Sequence, residues 1–255
     1  MKYFNVKEFD KYGFVKTLMT AKDAGRFRIY SHNVEVNMED MKFYNEIADE
    51  FNIKADDMVR VMQSHTSNVY VVKNEDRGMG VVKREPEYGI DGLITNEKNL
   101  MLMTVEADCT PVFILDKEKK AIGMIHSGWR GTVNNIAINA INLMKENYGS
   151  KEENIIIYLG PSICMNCYEV GMELIDEAKK VLDNDEIDIV FKKKNNDKYL
   201  FDVSKTIEFT LLKNGIKKEN IYKSDVCTYH DNIYSSWRRD KDKTNHMLTG
   251  IMIIE

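Results

Sequence analysis

Apolar and polar positions along the chain switch between two periods. Across 39–51, Met41, Phe43, Tyr44, Ile47, Ala48 and Phe51 recur among charged residues at the spacing of an amphipathic helix. Short apolar runs follow at 59–63, 68–72, 92–95, 100–104, 112–115 and 121–125, and these predict strands. The helical period returns over 133–148. There Val133, Ile136, Ala137, Ala140, Ile141 and Met144 share one face, with Thr132 as the expected N-cap and Gly149 as the stop. The run 154–159, ending at Gly160-Pro161, predicts another buried strand. Helices are expected over 171–182 and 204–214, the second closed by Gly215, and late strands over 221–228 and 248–254. Strands and helices intermix without a strict βαβ rhythm, so the expectation is an α/β (α+β) chain with one or two mixed sheets and helices outside. No Ser/Gly/Pro-rich linker, low-complexity block or internal repeat divides it, which predicts a single domain over 1–255.

Composition narrows the function classes. Apolar and charged residues make up 43% and 30% of the chain, values typical of a soluble globular protein. The net charge of −5 argues against a general nucleic-acid binder. No run is long and apolar enough to span a bilayer, and residues 1–14 lack a signal core, so a cytoplasmic location with no membrane partner is expected. Four cysteines are too few for a disulfide scaffold. Cys164 and Cys167 form a C-x-x-C, but no second C-x-x-C accompanies them, so they read as reduced, half-buried thiols beside a turn. Neither G-x-G-x-x-G nor G-x-x-x-x-G-K-[ST] occurs, against a doubly wound nucleotide fold.

Chemistry concentrates where three strand-like runs end. Gln63-Ser64-His65, Ala107-Asp108-Cys109 and His126-Ser127-Gly128-Trp129-Arg130-Gly131 each place a metal-ligand type there. Two imidazoles and one thiolate match the three-ligand plan of a catalytic zinc with an open fourth position. Taken singly, each has a plainer reading: His65 as a hydrogen-bonded turn residue, Cys109 as a core thiol, and the glycines as a turn anchored by Trp129. Arg130 beside a helix start suits an anion. The late pair Arg238-Arg239 reads either as a solvated rim or, if near Arg130, as a second phosphate grip.

Taken in order, Q-S-H, D-G-L-I-T at Asp91–Thr95, A-D-C-T-P, H-S-G-W-R-G, G-P-S-I, C-Y-E-V, D-V-C-T and S-S-W-R-R-D resemble the multi-copper polyphenol oxidase family, also called the laccase-domain or YfiH family. The likeness runs from about Gln63 to Gly250. It implies a four-layer α/β/β/α sandwich with two mixed sheets and a zinc on His65, Cys109 and His126. It also implies purine-nucleoside phosphorylase, methylthioadenosine phosphorylase or adenosine deaminase activity. The chain departs from the family pattern in three places: Ser127 replaces alanine, Thr244-Asn245-His246 stands where T-G-R is common, and the N-terminal pattern is degraded at 28–33.

A literal multicopper oxidase is excluded by counting. His32, His65, His126, His230 and His246 are the five histidines, too few and too scattered for an oxygen-reducing copper cluster beyond a His₂Cys site, although copper could bind the same three ligands as zinc. The resemblance therefore implies a zinc enzyme of purine nucleosides and phosphate. Cys109 and His126 lie at its centre, Asp108 is a proton shuttle with Glu106 a weaker one, and Gln63, Arg130 and Arg238 contact substrate or anion. Trp129 and Trp237 read as packing groups. Two alternatives stay open: a metal-independent Cys–His hydrolase or amidase acting, for example, on cell-wall precursors, and a non-catalytic binding module. Oligomeric state cannot be read from the chain.

Overall fold

The structure, a computed structural model, describes residues 3–24, 38–83 and 89–254. Elements are numbered in chain order. One sheet runs β1 (Tyr3–Phe4), β2 (Val15–Thr20), β14 (Met247–Ile253), β6 (Met101–Glu106), β3 (Met58–Arg60). The other runs β13 (Ile221–Lys223), β9 (Ile155–Leu159), β7 (Thr110–Asp116), β8 (Ala121–Ser127), β5 (Gly92–Thr95), β4 (Val69–Val71). Both are mixed: β3–β6, β4–β5 and β9–β13 pair in parallel, the remaining neighbours antiparallel.

Alternation along each strand explains the stacking. In β6, Leu102 joins Val59, Leu93, Phe113, Leu115, Met124 and Ile251 between the two sheets. Its neighbours Met101 and Met103 turn the other way, under Tyr44, Ile47 and Phe51 of α2 (Met38–Phe51). In β7, Phe113 and Leu115 face the first sheet. Val112 and Ile114 pack outward against α4 (Ile136–Tyr148) and α7 (Val203–Lys213). The order of layers is helix, sheet, sheet, helix. Strands buried on both faces read as continuous apolar runs, which is why they were visible in the sequence.

Smaller helices complete the fold: α1 (Lys7–Asp10), α3 (Trp129–Val133), α5 (Glu173–Ala178), α6 (Asn184–Val190) and α8 (Trp237–Asp240). Several expectations change. Thr132 does not cap the long helix. It lies inside α3, and the chain breaks at Asn135, whose φ of 58° is left-handed and cannot continue a helix. The helix expected over 171–182 is shorter and is followed by α6, which Asp183 caps by accepting from the Glu186 amide at 3.0 Å. A third sheet, β10 (Glu169–Gly171), β12 (Lys198–Phe201), β11 (Phe191–Asn195), adds to the two expected. The strand expected over 221–228 stops at Lys223, beyond which Cys227 makes a single parallel bridge to Ser162. Gly149 and Gly215, with φ of 68° and 86°, do follow the ends of α4 and α7. No helix among the described residues is long and apolar enough to cross a membrane.

Candidate metal centre

Strand register assembles the centre at one end of the six-stranded sheet. Pro111 of β7 pairs with His126 of β8, so Cys109, just outside β7, meets the end of β8. Gly92 of β5 pairs with both Ile125 of β8 and Val69 of β4, which brings Asp91 beside His126 and the His65 turn beside both. The donor atoms of His65, Cys109 and His126 lie within 4.8 Å of one another. Cys109 Sγ is 3.8 Å from His65 Nε2, close to the edge of about 3.5 Å in a tetrahedron with Zn–S about 2.3 Å and Zn–N about 2.0 Å. The two imidazoles meet edge to face, centroids 4.9 Å apart. The donor set and its spacing fit a His₂Cys metal.

Asp91 organises this end, although in the sequence it stands out only as part of a motif. Fully buried, it accepts from three consecutive amides, Ser64 (3.2 Å), His65 (3.0 Å) and Thr66 (2.7 Å), and from the Thr66 hydroxyl at 2.8 Å. Such a nest of amides holds an anion, and here it fixes His65 in a left-handed turn, φ 62°. The same carboxylate lies 2.8 Å from His126 Nδ1. An ionised acceptor there requires Nδ1 to carry the proton and leaves Nε2 for the centre. Burial alone would raise the Asp91 carboxyl, but the hydrogen bonds from His126 and Thr66 outweigh it and hold it below its ordinary value. The signal that could have exposed Asp91 is the need of a buried ligand imidazole for an orienting partner.

Electrostatics prepare the ligands. Desolvation would raise the Cys109 thiol, yet His126 and His65 bring it down to about 6. Burial would lower His126, but the Cys109 thiolate and Asp91 lift it to about 10, so without a metal Nε2 carries a proton that a bound metal must displace. A thiolate is the form a metal or a nucleophilic reaction needs. Gly128 clears the space, since a Cβ there would meet His65 Cδ2 at 2.8 Å and Cys109 Sγ at 3.0 Å. Ser127, in place of the family's alanine, is buried with its hydroxyl 2.8 Å from that of Thr132, so the change leaves no unpaired group.

The remaining residues sort by what already engages them. Asp108, φ 84°, accepts from the Thr228 hydroxyl (2.7 Å) on one oxygen and the Arg238 amide (2.6 Å) on the other, which ties the Cys109 loop to 225–238. Gln63 pairs its amide with both backbone groups of Val105, at 2.8 and 2.9 Å, extending β3 along β6. It therefore positions the His65 turn. Arg130 is exposed and stacks on half-buried Trp129, 4.3 Å to the ring centroid. Arg238 donates to the carbonyls of Glu169 (3.1 Å) and Cys167 (3.4 Å) and lies over the Tyr168 ring. Arg239 is held by the carbonyls of Thr228, Tyr229 and Tyr234 and by Asp240, so it is structural. Trp237 is 50% exposed, not a packing group. Tyr168, which carried no expectation, lies close to these groups: burial raises its hydroxyl, and it also feels the charges of Cys109, Arg238, Arg130 and Asp108. Glu106 is fully buried with Oε1 unpartnered among the described residues, and burial raises its carboxyl to about 7. His246 is exposed just before β14, whereas the degraded pattern at 28–33 lies outside the described residues.

Fold and site together define a four-layer sandwich with a His₂Cys centre at the end of one sheet. The family described as multi-copper polyphenol oxidoreductase laccase matches residues 29–254, and the chain belongs to that family. It is 33% identical over 209 residues to purine nucleoside phosphorylase YlmD of Bacillus subtilis (strain 168), covering 80% of this chain and 74% of that one. It is 30% identical over 208 residues to adenosine deaminase RL5 from an unknown prokaryotic organism, covering 80% and 78%. Among solved structures, the hypothetical protein YfiH of Bacillus licheniformis superposes with a TM-score of 0.88 at 24% identity, over 98% of this chain and 96% of that one. YlmD from Geobacillus stearothermophilus superposes at 0.85, also 24% identical, over 96% and 93%. These two likenesses show the fold.

Proposed function

We propose that the protein is a zinc-dependent enzyme of purine nucleosides. It would cleave adenosine, inosine, guanosine and methylthioadenosine with phosphate to the base and (methylthio)ribose 1-phosphate, and hydrolytically deaminate adenosine to inosine. The observation that carries this reading is the convergence of His65, Cys109 and His126 on one opening, in a chain with relatives named for both activities. Zinc on those three ligands would keep an open position and supply Lewis acidity there; copper would find the same donors.

The protein's own groups divide the remaining work. Asp91 fixes the tautomer and direction of His126. Arg130, exposed and braced on Trp129, offers its guanidinium to a phosphate oxyanion. Arg238, already donating to two carbonyls, lends its charge to the same opening. Asp108 accepts on both oxygens and so orders the loop around Cys109. Glu106, whose carboxyl burial raises to about 7, can hold a proton near neutral pH, whereas both oxygens of Asp108 are already engaged by Thr228 and Arg238. A metal-free Cys–His hydrolase is the second reading, supported by the lowered Cys109 thiol beside two imidazoles.

Product chromatography tests the proposal. Zinc-quantified protein incubated with adenosine and phosphate should yield adenine and ribose 1-phosphate, and without phosphate inosine. Absence of both products from zinc-loaded protein would overturn adenosine as a substrate.

A further inference from the structure

A second set of ligand-type side chains lies outside this centre. Cys164, Cys167, Cys227 and His230 come from two loops about sixty residues apart, and their donor atoms all lie within 4.8 Å of one another. Looking only for a second C-x-x-C overlooks the partner motif, which is C-x-x-H at Cys227-Thr228-Tyr229-His230. The spacing C-x-x-C with C-x-x-H is that of a closed Cys₃His structural zinc.

Four observations agree. Both motifs fold into the same tight turn, the Cys167 amide donating to Cys164 O at 3.0 Å and the His230 amide to Cys227 O at 3.1 Å. Each turn aims its two donor atoms at the other pair. Cys167 Sγ lies 3.2 Å from His230 Nε2, near the tetrahedral edge of about 3.5 Å. The Cys164 amide donates to Cys227 Sγ at 3.3 Å, a contact that favours the thiolate a metal requires. All four cysteines of the chain are free thiols here, so no disulfide accounts for the cluster.

We propose that Cys164, Cys167, Cys227 and His230 hold a structural zinc that staples the 161–171 loop to the 224–240 segment. The surroundings say what the staple would hold. Arg238 donates to Cys167 O on one ligand turn, and Arg239 donates to Thr228 O and Tyr229 O on the other. Thr228, inside the second motif, is one of the two groups that fix Asp108 next to Cys109. A metal here would thus set the loops around the first centre without being open to substrate. This inference does not depend on which reaction the first centre performs.

Metal analysis of the full chain, purified under reducing conditions without chelator, tests it. The Cys109→Ala protein should retain one zinc per chain, with its three remaining thiols unreactive to a thiol reagent until a strong chelator is added. Cobalt in place of zinc should give that protein the intense charge-transfer and visible bands of a tetrahedral, thiolate-rich site. Adding Cys227→Ser should remove this equivalent, and His230→Cys should retain it. A folded Cys109→Ala protein without zinc or cobalt bands would overturn the proposal. So would a Cys164–Cys167 or Cys164–Cys227 disulfide in non-reducing peptide maps of the freshly purified protein.

Discussion

The smallest consequential unit is the carboxylate of Asp91. It gathers three amides, a hydroxyl and an imidazole around one buried charge. Asp91→Asn keeps the shape but removes the charge and offers His126 an uncertain partner. Zinc affinity should fall roughly 10- to 100-fold, the usual effect of losing such a partner, as read by chelator competition on the Cys109-dependent equivalent. At Cys109 the thiol forms thiolate above about 6, in place of its ordinary 9.0. Peptide-mapped alkylation of metal-stripped protein should therefore rise with pH to a half-maximum near 6. Zinc-loaded protein should protect Cys109 at every pH tested, whereas the metal-independent hydrolase requires equally fast alkylation in native protein. Glu106 has the opposite sign: its folded carboxyl stays neutral up to about 7 against an ordinary 4.5. Ionisation in the unfolded chain then erodes stability as pH rises from 4.5 through 7, by about 3 kcal/mol at about 1.4 kcal/mol per unit. In metal-stripped protein, Glu106→Gln should melt higher than the parent above pH 7 and match it below 4.5. The three ligands were legible as residues because each closes an apolar run. The roles of Asp91 and Tyr168 were not, since what marks them is burial and three-dimensional proximity, and Glu106 was named only as the weaker shuttle because its burial is not written in the sequence.

At the scale of elements, the site depends on turns more than on strands. His65 and Asp108 both hold left-handed backbone, and each is fixed from outside its own segment, by Asp91 and by Thr228 and Arg238. Gly128, between β8 and α3, leaves no room for a Cβ beside the ligands. Gly128→Ala should leave the far-ultraviolet circular dichroism spectrum intact while displacing His65 or Cys109, with loss of the Cys109-dependent zinc. Retention of full zinc by the folded variant would contradict the packing described. Most central strands could be read from sequence because burial on both faces makes them uniformly apolar, as in Val112–Leu115. The helix break at Asn135 and the short strands β10 to β12 could not. The first is a single backbone angle overriding a continuous apolar stripe, and the others are exposed strands whose pairing is set by distant residues, such as Glu169 with Leu200.

Over the whole molecule, four layers bring segments from 65 to 126 onto one sheet end, while Thr228 and Arg238 tie the 227–238 segment to Asp108 beside it and Arg238 reaches the Cys167 carbonyl. The layer order was implied by family likeness rather than by periodicity, because alternation along a strand says which residues share a face but not what covers it. As proposed, the three-ligand centre does chemistry on purine nucleosides. The most direct test is adenosine turnover, by chromatography with and without phosphate, for zinc-loaded parent, zinc-stripped and zinc-restored parent, and folded Cys109→Ala. Adenine or inosine formation should disappear on stripping, return with zinc and be absent in Cys109→Ala. Turnover unchanged by stripping, or retained in Cys109→Ala, would contradict the proposal.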